Sequence, residues 1–367
     1  MDETLRKFEE ALSKAGVKAV DVAVNDRPPK RSTLTFAYQD WHHPTVKRLR
    51  TKYHLDKIVK PGRTEFEKML LLRKWVHDTI KFGTPADVPL EAEAIIDCAL
   101  KGGTFWCSHY AWVYMSCAIA LGWQARKLGV DCFHTAKEDS THHGVAEIWS
   151  NQFAKWFVVD AMYDIHYELD GIPLSAYELR SQILKNGCAD VETRKGPGRE
   201  KTAKGATKGP FDSPTCYFWF LVATRNDFFS MPERYGNYRS LLLKDSANKS
   251  HVWYQGSGSK GQSSPHSHYQ GKFLDTENFN DVYPEIGTVE LIFGEGKKPD
   301  ELAVTTGHFT ANFSHLLVEM NGKLEKVHGD KFTWRLRKGR NNLEVRTVNL
   351  AGVSGHLSTA EVTVKGR

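Results

Sequence analysis

One cysteine in the 367-residue sequence lies where a helix is expected to begin. Cys107 follows a turn signal at Gly102-Gly103, and the apolar pattern after it is typical of a helix that ends at Gly122. At a helix N-terminus, unpaired backbone N–H groups and the helix dipole lower the pKa of a thiol and favour the thiolate. A lone cysteine is more often a small buried hydrophobe. Nucleophilic chemistry at Cys107 therefore needs partners elsewhere in the chain.

A base and an acceptor for that base are the partners that a thiolate nucleophile requires. Residues 143–149 and 155–160 have strand patterns, and a turn at 151–152 would join them as an antiparallel pair. A turn at that position places His143 almost opposite Asp160, with about 5 Å between their Cβ atoms. We therefore expect a hydrogen bond between the imidazole and the carboxylate.

The segments around Cys107 predict both helices and strands. Thr64 and Glu67 form a capping-box signature ahead of an apolar pattern with helical spacing. A second helix is expected through Ile95, and residues 124–130 predict a strand. Helices would therefore bring the chain to the cysteine, and strands would carry the base and its acceptor.

The order and spacing of these residues resemble the transglutaminase-like superfamily. The resemblance lies in Gly-Thr-Phe-Trp-Cys ending at Cys107, Leu-Gly-Trp-Gln-Ala-Arg, His-Gly-Val-Ala-Glu-Ile-Trp from His143, and Lys-Trp-Phe-Val-Val-Asp ending at Asp160. It covers roughly residues 60–180. It implies a papain-related α+β core and a Cys107–His143–Asp160 triad. The family usually has proline after the aspartate, where this chain has Ala161.

Several neighbouring residues are candidates for substrate contact. The family pattern places the catalytic imidazole directly before Gly-Val, which favours His143 over His142. The oxyanion hole would use the backbone N–H of Cys107 and one further donor. Trp106 is expected to shape the acyl pocket. The remaining candidate substrate-binding residues, for which ordinary packing is the alternative, are Trp41, His42, His43, Tyr110 and Arg126.

The chain outside the resemblance divides by composition. Residues 1–60 predict a helical and extended arm on the core, including a strand candidate at 34–38, and 61–284 the catalytic domain. An aromatic-rich insertion spans about 187–275, where 187–214 predicts a surface loop. Residues 285–367 hold short strand patterns and an Asn-Gly hairpin signal, which predict an all-β sandwich of immunoglobulin-like type. This arrangement resembles bacterial multidomain members of the superfamily.

Composition excludes several classes of function. The formal charge of +6 comes without a nucleic-acid-binding signature, so no nucleic-acid partner is expected. No apolar run is long enough for a membrane span, and the N-terminus lacks a signal-peptide pattern, so we expect a soluble protein, or a secreted or periplasmic one whose leader has been removed. The six cysteines have no C-x-x-C spacing, which favours free thiols without a metal site or cofactor.

Two enzymatic functions are compatible with these residues. The first is acyl transfer or amide hydrolysis through a thioester on Cys107, with a peptide-amide substrate. The second is a glycan-active enzyme on an acidic polysaccharide, where a lyase would use Arg126 as the cation and His143 or Tyr110 as the base. A third reading is a binding module without activity. Absence of a D-x-[DN]-x-[DN]-G loop argues against a calcium-dependent cross-linker.

Overall fold

The computed structural model describes residues 3–30, 32–131, 142–209, 211–230, 240–245 and 273–365. Within these ranges the chain forms two compact units. The first unit combines Met1–Arg31, Asn151–Ala154 and Pro284–Arg367, and the second combines Ser32–Ser150 and Lys155–Tyr283. The expected loops at 137–140 and 256–268 lie outside the described residues. The mixture of helices and largely antiparallel sheets is that of an α+β protein.

The helices of the described chain are α1 (Glu3–Lys14), α2 (Pro44–Lys52), α3 (Leu55–Val59), α4 (Glu65–Thr79), α5 (Ala92–Ala99), α6 (Cys107–Ala120), α7 (Ala176–Asn186) and α8 (Phe279–Val282). The predicted capping box is confirmed, because the Thr64 side chain accepts from the Glu67 amide and the Glu67 side chain accepts in return from the Thr64 amide. No helix among the described residues has the length and apolar character needed to cross a membrane.

The strands before the C-terminal region are β1 (Ala19–Asn25), β2 (Lys81–Phe82), β3 (Thr104–Phe105), β4 (Ala125–Asp131), β5 (His142–Ser150), β6 (Lys155–Val159), β7 (Ile165–Leu169), β8 (Ile172–Pro173), β9 (Glu192–Lys195), β10 (Glu200–Lys204), β11 (Trp219–Ala223), β12 (Ser240–Leu243) and β13 (Phe273–Thr276). The C-terminal strands are β14 (Val289–Glu295), β15 (Glu301–His308), β16 (Phe313–Met320), β17 (Lys323–Val327), β18 (Lys331–Arg335), β19 (Gly339–Asn349) and β20 (Ser358–Val364).

The second unit is built around helix α6. Almost all of its residues after the first turn are buried, and it packs against β4 and β5 of a six-stranded sheet with the order β13-β12-β11-β4-β5-β6. A four-stranded sheet, β10-β9-β7-β8, and a short parallel pair, β2-β3, complete the unit. The helix begins at Cys107, with only Trp106 between it and β3, so the β2-β3 pair and the helix together fix the position of the cysteine.

The first unit holds two antiparallel sheets around one apolar core. Five strands have the order β1-β20-β19-β16-β17 and three have the order β14-β15-β18. The predicted hairpin is confirmed between β16 and β17, where Asn321 and Gly322 both have positive φ as a tight two-residue turn requires. The core includes Phe8 of α1, whose ring stacks on Phe293 at 4.1 Å between centroids.

The expectation for residues 1–60 as one arm on the catalytic core needs correction. Residues 1–31 belong to the first unit, because β1 pairs with β20 and α1 fills the core between the sheets. The strand expected at 34–38 is absent from the described chain, where one isolated bridge joins Ala37 to Arg225. Pairing between the two ends of a chain leaves no local sequence signal, so the pattern alone assigned these residues wrongly.

Two expectations for the insertion are also wrong. Residues 192–204 form the hairpin β9-β10 instead of an irregular loop, and several of its basic side chains pair with acidic ones, as Lys201 does with Glu192. Cys216 is disulfide-bonded, whereas free thiols were expected throughout. The free cysteines of the described chain are Cys98, Cys107, Cys117 and Cys188.

Candidate active site

Cys107 is the first residue of α6. Trp106, which caps the helix, makes no side-chain hydrogen bond to the first turn. The His109 amide donates to the Trp106 carbonyl at 3.0 Å, and the N–H groups of Cys107 and Ser108 lie at the helix start, where a thiolate or a developing oxyanion can accept from them. Cys107 is half-buried and its thiol is free, so the sulfur is partly shielded from water and can still be reached by a substrate.

His143 and Asp160 form a buried hydrogen-bonded pair. His143 Nε2 lies 2.7 Å from Asp160 Oδ2, and both side chains are about one percent exposed. Cys107 is the other titratable neighbour that acts on this imidazole. Because Nε2 is engaged by the carboxylate, Nδ1 is the nitrogen available to the sulfur. The structure therefore brings together the three residues that the sequence nominated.

The pKa values of Cys107 and His143 move in opposite directions. Burial alone would raise the pKa of Cys107, but hydrogen bonding and charge from His143 outweigh it and lower that pKa. Burial alone would lower the pKa of His143, but the Asp160 carboxylate and the sulfur raise it to about 10. Both shifts favour a thiolate–imidazolium pair at neutral pH, which is the reactive form of a cysteine nucleophile.

Asp160 is held by a tight turn that follows β6. Its Oδ1 accepts from the amides of Met162 at 2.9 Å and Tyr163 at 3.1 Å, while its backbone exchanges two hydrogen bonds with Ile165. The second carboxylate oxygen is left to His143. Backbone donors thus fix the orientation of the carboxylate without a second charged side chain.

The strand register differs from the expected one by two residues. Ala146 pairs with Val159, so the register continues to Val145, and not His143, opposite Asp160. The reason is a four-residue connection at 151–154 in place of a two-residue turn. The imidazole consequently reaches the carboxylate diagonally, from β5 to the end of β6, which is within reach of a long side chain.

Gly144 is a site residue that the sequence did not nominate. Its amide N–H donates to Cys107 Sγ at 3.4 Å, the range of a hydrogen bond to sulfur. A Cβ atom at this position would lie 3.0 Å from Ser108 Cα, so glycine allows the strand to approach the helix closely. The adjacent placement of glycine after the histidine was the available signal.

Two aromatic rings enclose the imidazole of His143. Phe211 lies 5.4 Å away between ring centroids, and Tyr163 lies edge-on at 5.9 Å. Burial, with the nearby Asp160 charge, raises the pKa of Tyr163 to about 12, so its hydroxyl stays protonated at neutral pH. Phe211 comes from a distant loop, and no sequence spacing pointed to it.

The nominated aromatic and imidazole neighbours separate into two groups. Trp106 is 53% exposed directly before the nucleophile, a placement compatible with substrate contact. His42 is exposed and Trp41 lies beside Arg50, whose guanidinium is 5.6 Å from the indole centroid.

His43 caps α2, since its Nδ1 accepts from the Thr45 amide. That bond gives His43 a structural role at the start of α2. The side chain of His142 lies outside the described residues.

Tyr110 and Arg126 do not fit the substrate contacts expected of them. Tyr110 is buried and its hydroxyl donates to the Ile80 carbonyl at 2.9 Å. Arg126 is 1% exposed, pairs with the buried carboxylate of Glu147 at 2.6 Å and lies 4.3 Å above the Trp156 ring. A guanidinium so engaged cannot neutralise a uronate, which removes the cation that the lyase alternative requires.

Comparison with known proteins adds little to this geometry. No protein-family model matches the chain, and no curated protein matches it. The chain is similar to a crystal structure titled as a "putative protease" from Parabacteroides distasonis, at 9% identity and a TM-score of 0.22. The alignment covers 95% of this chain and 62% of that one. At this TM-score the likeness gives no information about the function of this chain.

Proposed function

We propose that this protein is a cysteine hydrolase of transglutaminase-like type that cleaves amide bonds through a thioester intermediate. The observation that carries the proposal is the contact of Cys107, at the start of α6, with an imidazole whose other nitrogen is 2.7 Å from a buried carboxylate. Nucleophile, base and acceptor have the mutual geometry that covalent acyl chemistry needs.

The chemistry would proceed in two halves. The Cys107 thiolate attacks the carbonyl carbon, and backbone N–H groups of the first turn of α6 stabilise the oxyanion. The His143 imidazolium gives its proton to the departing amine, which leaves a thioester on the sulfur. Neutral His143 then takes a proton from water, the hydroxide adds to the thioester, and collapse releases the carboxylic acid and the thiolate. An amine in place of water would give transfer instead of hydrolysis.

Among the alternatives, amide cleavage has more support than elimination on an acidic polysaccharide. The lyase reading has lost Arg126 and Tyr110 to structural contacts, whereas the amidase reading uses groups that are in place. Glycan-linked amides stay within the proposed chemistry. We also propose that the C-terminal two-sheet unit is immunoglobulin-like, which its paired antiparallel sheets support.

The disulfide at Cys216 supports a further part of the proposal, namely action in an oxidising compartment. Disulfides persist in secreted and periplasmic proteins and are rare in the cytosol. Peptide mapping of native protein alkylated without reductant, and again after reduction, checks this. Labelling of Cys216 before reduction would contradict the assignment.

Turnover on a panel of peptide amides and glycopeptides, with mass spectrometry of the trapped acyl-enzyme, tests the function. We expect an adduct on Cys107 and loss of turnover in Cys107→Ala. Cys117→Ala is the matched control, because Cys117 is free, fully buried and on the same helix. Undiminished turnover in Cys107→Ala would overturn the proposal, as would unsaturated products from a uronate polymer.

A further inference from the structure

Helix α4 grips the turn that carries the carboxylate of Asp160. His77 Nδ1 lies 2.9 Å from the carbonyl oxygen of Met162, and since a carbonyl accepts, Nδ1 must carry the proton. One helical turn earlier, Arg73 Nε donates to Asp164 Oδ1 at 2.8 Å. Residues four apart share one face of a helix, so a single face of α4 holds two points of one short turn.

Met162 and Asp164, the two residues that α4 holds, belong to the turn that orients the Asp160 carboxylate. The amides of Met162 and Tyr163 donate to Asp160 Oδ1, so displacement of their backbone would displace that oxygen. Asp164, with a left-handed φ of 56°, closes the turn. Arg73 and Asp164 are both fully buried, and the same guanidinium donates to the carbonyl of Gly196 at 3.1 Å. Side chains of α4 therefore hold the turn at Met162 and at Asp164.

We infer that Arg73 and His77 are positioning residues that hold Asp160 in line with His143. This inference rests on the proposed function, because the two side chains are given a role in keeping Cys107 as a thiolate and His143 as an imidazolium. Neither residue contacts the sulfur or the imidazole of His143. They act through the turn: a correctly aimed carboxylate stabilises the imidazolium, and the imidazolium stabilises the thiolate.

The rate of alkylation of Cys107 by iodoacetamide, followed against pH by peptide mapping, tests the inference without a substrate. His77→Ala removes one hydrogen bond from a half-buried residue, and Asp164→Asn weakens the grip of Arg73 while keeping the side-chain shape. At pH 6 we expect each variant to react about threefold to tenfold more slowly than the wild type, the factor for one hydrogen bond. The acid limb of the profile should move to higher pH.

A matched control separates positioning from general loosening. Lys74→Ala removes a surface pair with Asp78 from another face of α4 and should leave the profile unchanged. Thermal unfolding shows that each variant is folded at the assay temperature. A wild-type profile in both His77→Ala and Asp164→Asn would overturn the inference, as would an equal shift in Lys74→Ala. If wild-type Cys107 reacted with the pH profile of an ordinary thiol, the proposed function would fail as well.

Discussion

Two buried histidines in the second unit have nearly the same local geometry. His143 Nε2 lies 2.7 Å from Asp160, and His166 Nε2 lies 2.7 Å from Glu168. Both imidazoles and both carboxylates are almost fully buried. Judged by the histidine–carboxylate pair alone, either could be the base of an active site.

The second ring nitrogen separates them. His143 offers Nδ1 to the sulfur of Cys107, whereas His166 Nδ1 lies 2.7 Å from an Arg73 guanidinium nitrogen. Because arginine can only donate, His166 Nδ1 must accept and its proton must reside on Nε2. Burial and the charges of Arg73 and Arg199 outweigh Glu168 and lower the pKa of His166 to about 4, while that of His143 is raised to about 10.

The lesson is that the third group decides what a histidine–carboxylate pair does. An imidazole beside a thiol that can ionise can exchange a proton with that thiol. An imidazole beside a permanent cation stays neutral and has a structural role. His166 therefore serves a buried chain of polar contacts from Arg73 to Arg199, which joins α4, β7 and the β9-β10 hairpin.

Replacement of each histidine by glutamine should have the largest effect and should separate the pair. Glutamine keeps one acceptor and one donor but cannot carry the proton. At pH 6.5, His143→Gln should lower the alkylation rate of Cys107 roughly 100-fold, because the thiol returns to its ordinary pKa. His166→Gln should stay within about threefold, since a side-chain amide can keep both of its hydrogen bonds. Equal losses in the two variants would refute the contrast.

Removal of Arg73, the cation that helps to keep His166 uncharged, should lower the free energy of unfolding. Arg73→Leu leaves the carboxylate of Asp164 buried without its partner, for which we expect a loss of about 3–5 kcal/mol in the free energy of unfolding. Lys74→Ala, on the same helix with a surface ion pair, should change it by less than about 0.5 kcal/mol. Urea unfolding followed by circular dichroism measures both. A loss in Arg73→Leu no larger than that in Lys74→Ala would show that this buried network contributes little.

The sequence predicted one of these histidines and missed the role of the other. Cys107, His143 and Asp160 were found because their chemistry and order are demanding, and α4 was found because Thr64 caps it locally. The function of Arg73 depends on partners 91 and 93 residues away, which no local pattern reveals. The same limit applies to β1, which pairs with β20 near the other end of the chain.

Stability should depend on pH through His166 in the acid range. Its folded pKa of about 4 lies below the ordinary value, so between about pH 6.5 and 4 the unfolded chain binds a proton that the folded chain does not. Stability must therefore fall as the pH falls through that window, by up to about 3 kcal/mol from this group. His166→Gln should show a shallower loss in urea unfolding from pH 7 to 4. Parallel curves for the two proteins would mean that His166 is already charged when folded.

The smallest effect concerns Gly144, whose amide donates to Cys107. A Cβ atom there would lie 3.0 Å from Ser108 Cα, and a backbone atom cannot rotate away. Gly144→Ala should therefore push β5 from α6, at a cost of about 1–3 kcal/mol in unfolding free energy, and lengthen the bond to the sulfur. Gly198→Ala is the control, because a Cβ atom there has nothing within 4 Å. We expect alkylation at pH 6.5 to slow in the first variant and not in the second. Unchanged alkylation in a Gly144→Ala variant of lowered stability would show that the amide holds the strand but does not support the thiolate, leaving His143 as its main stabilising partner.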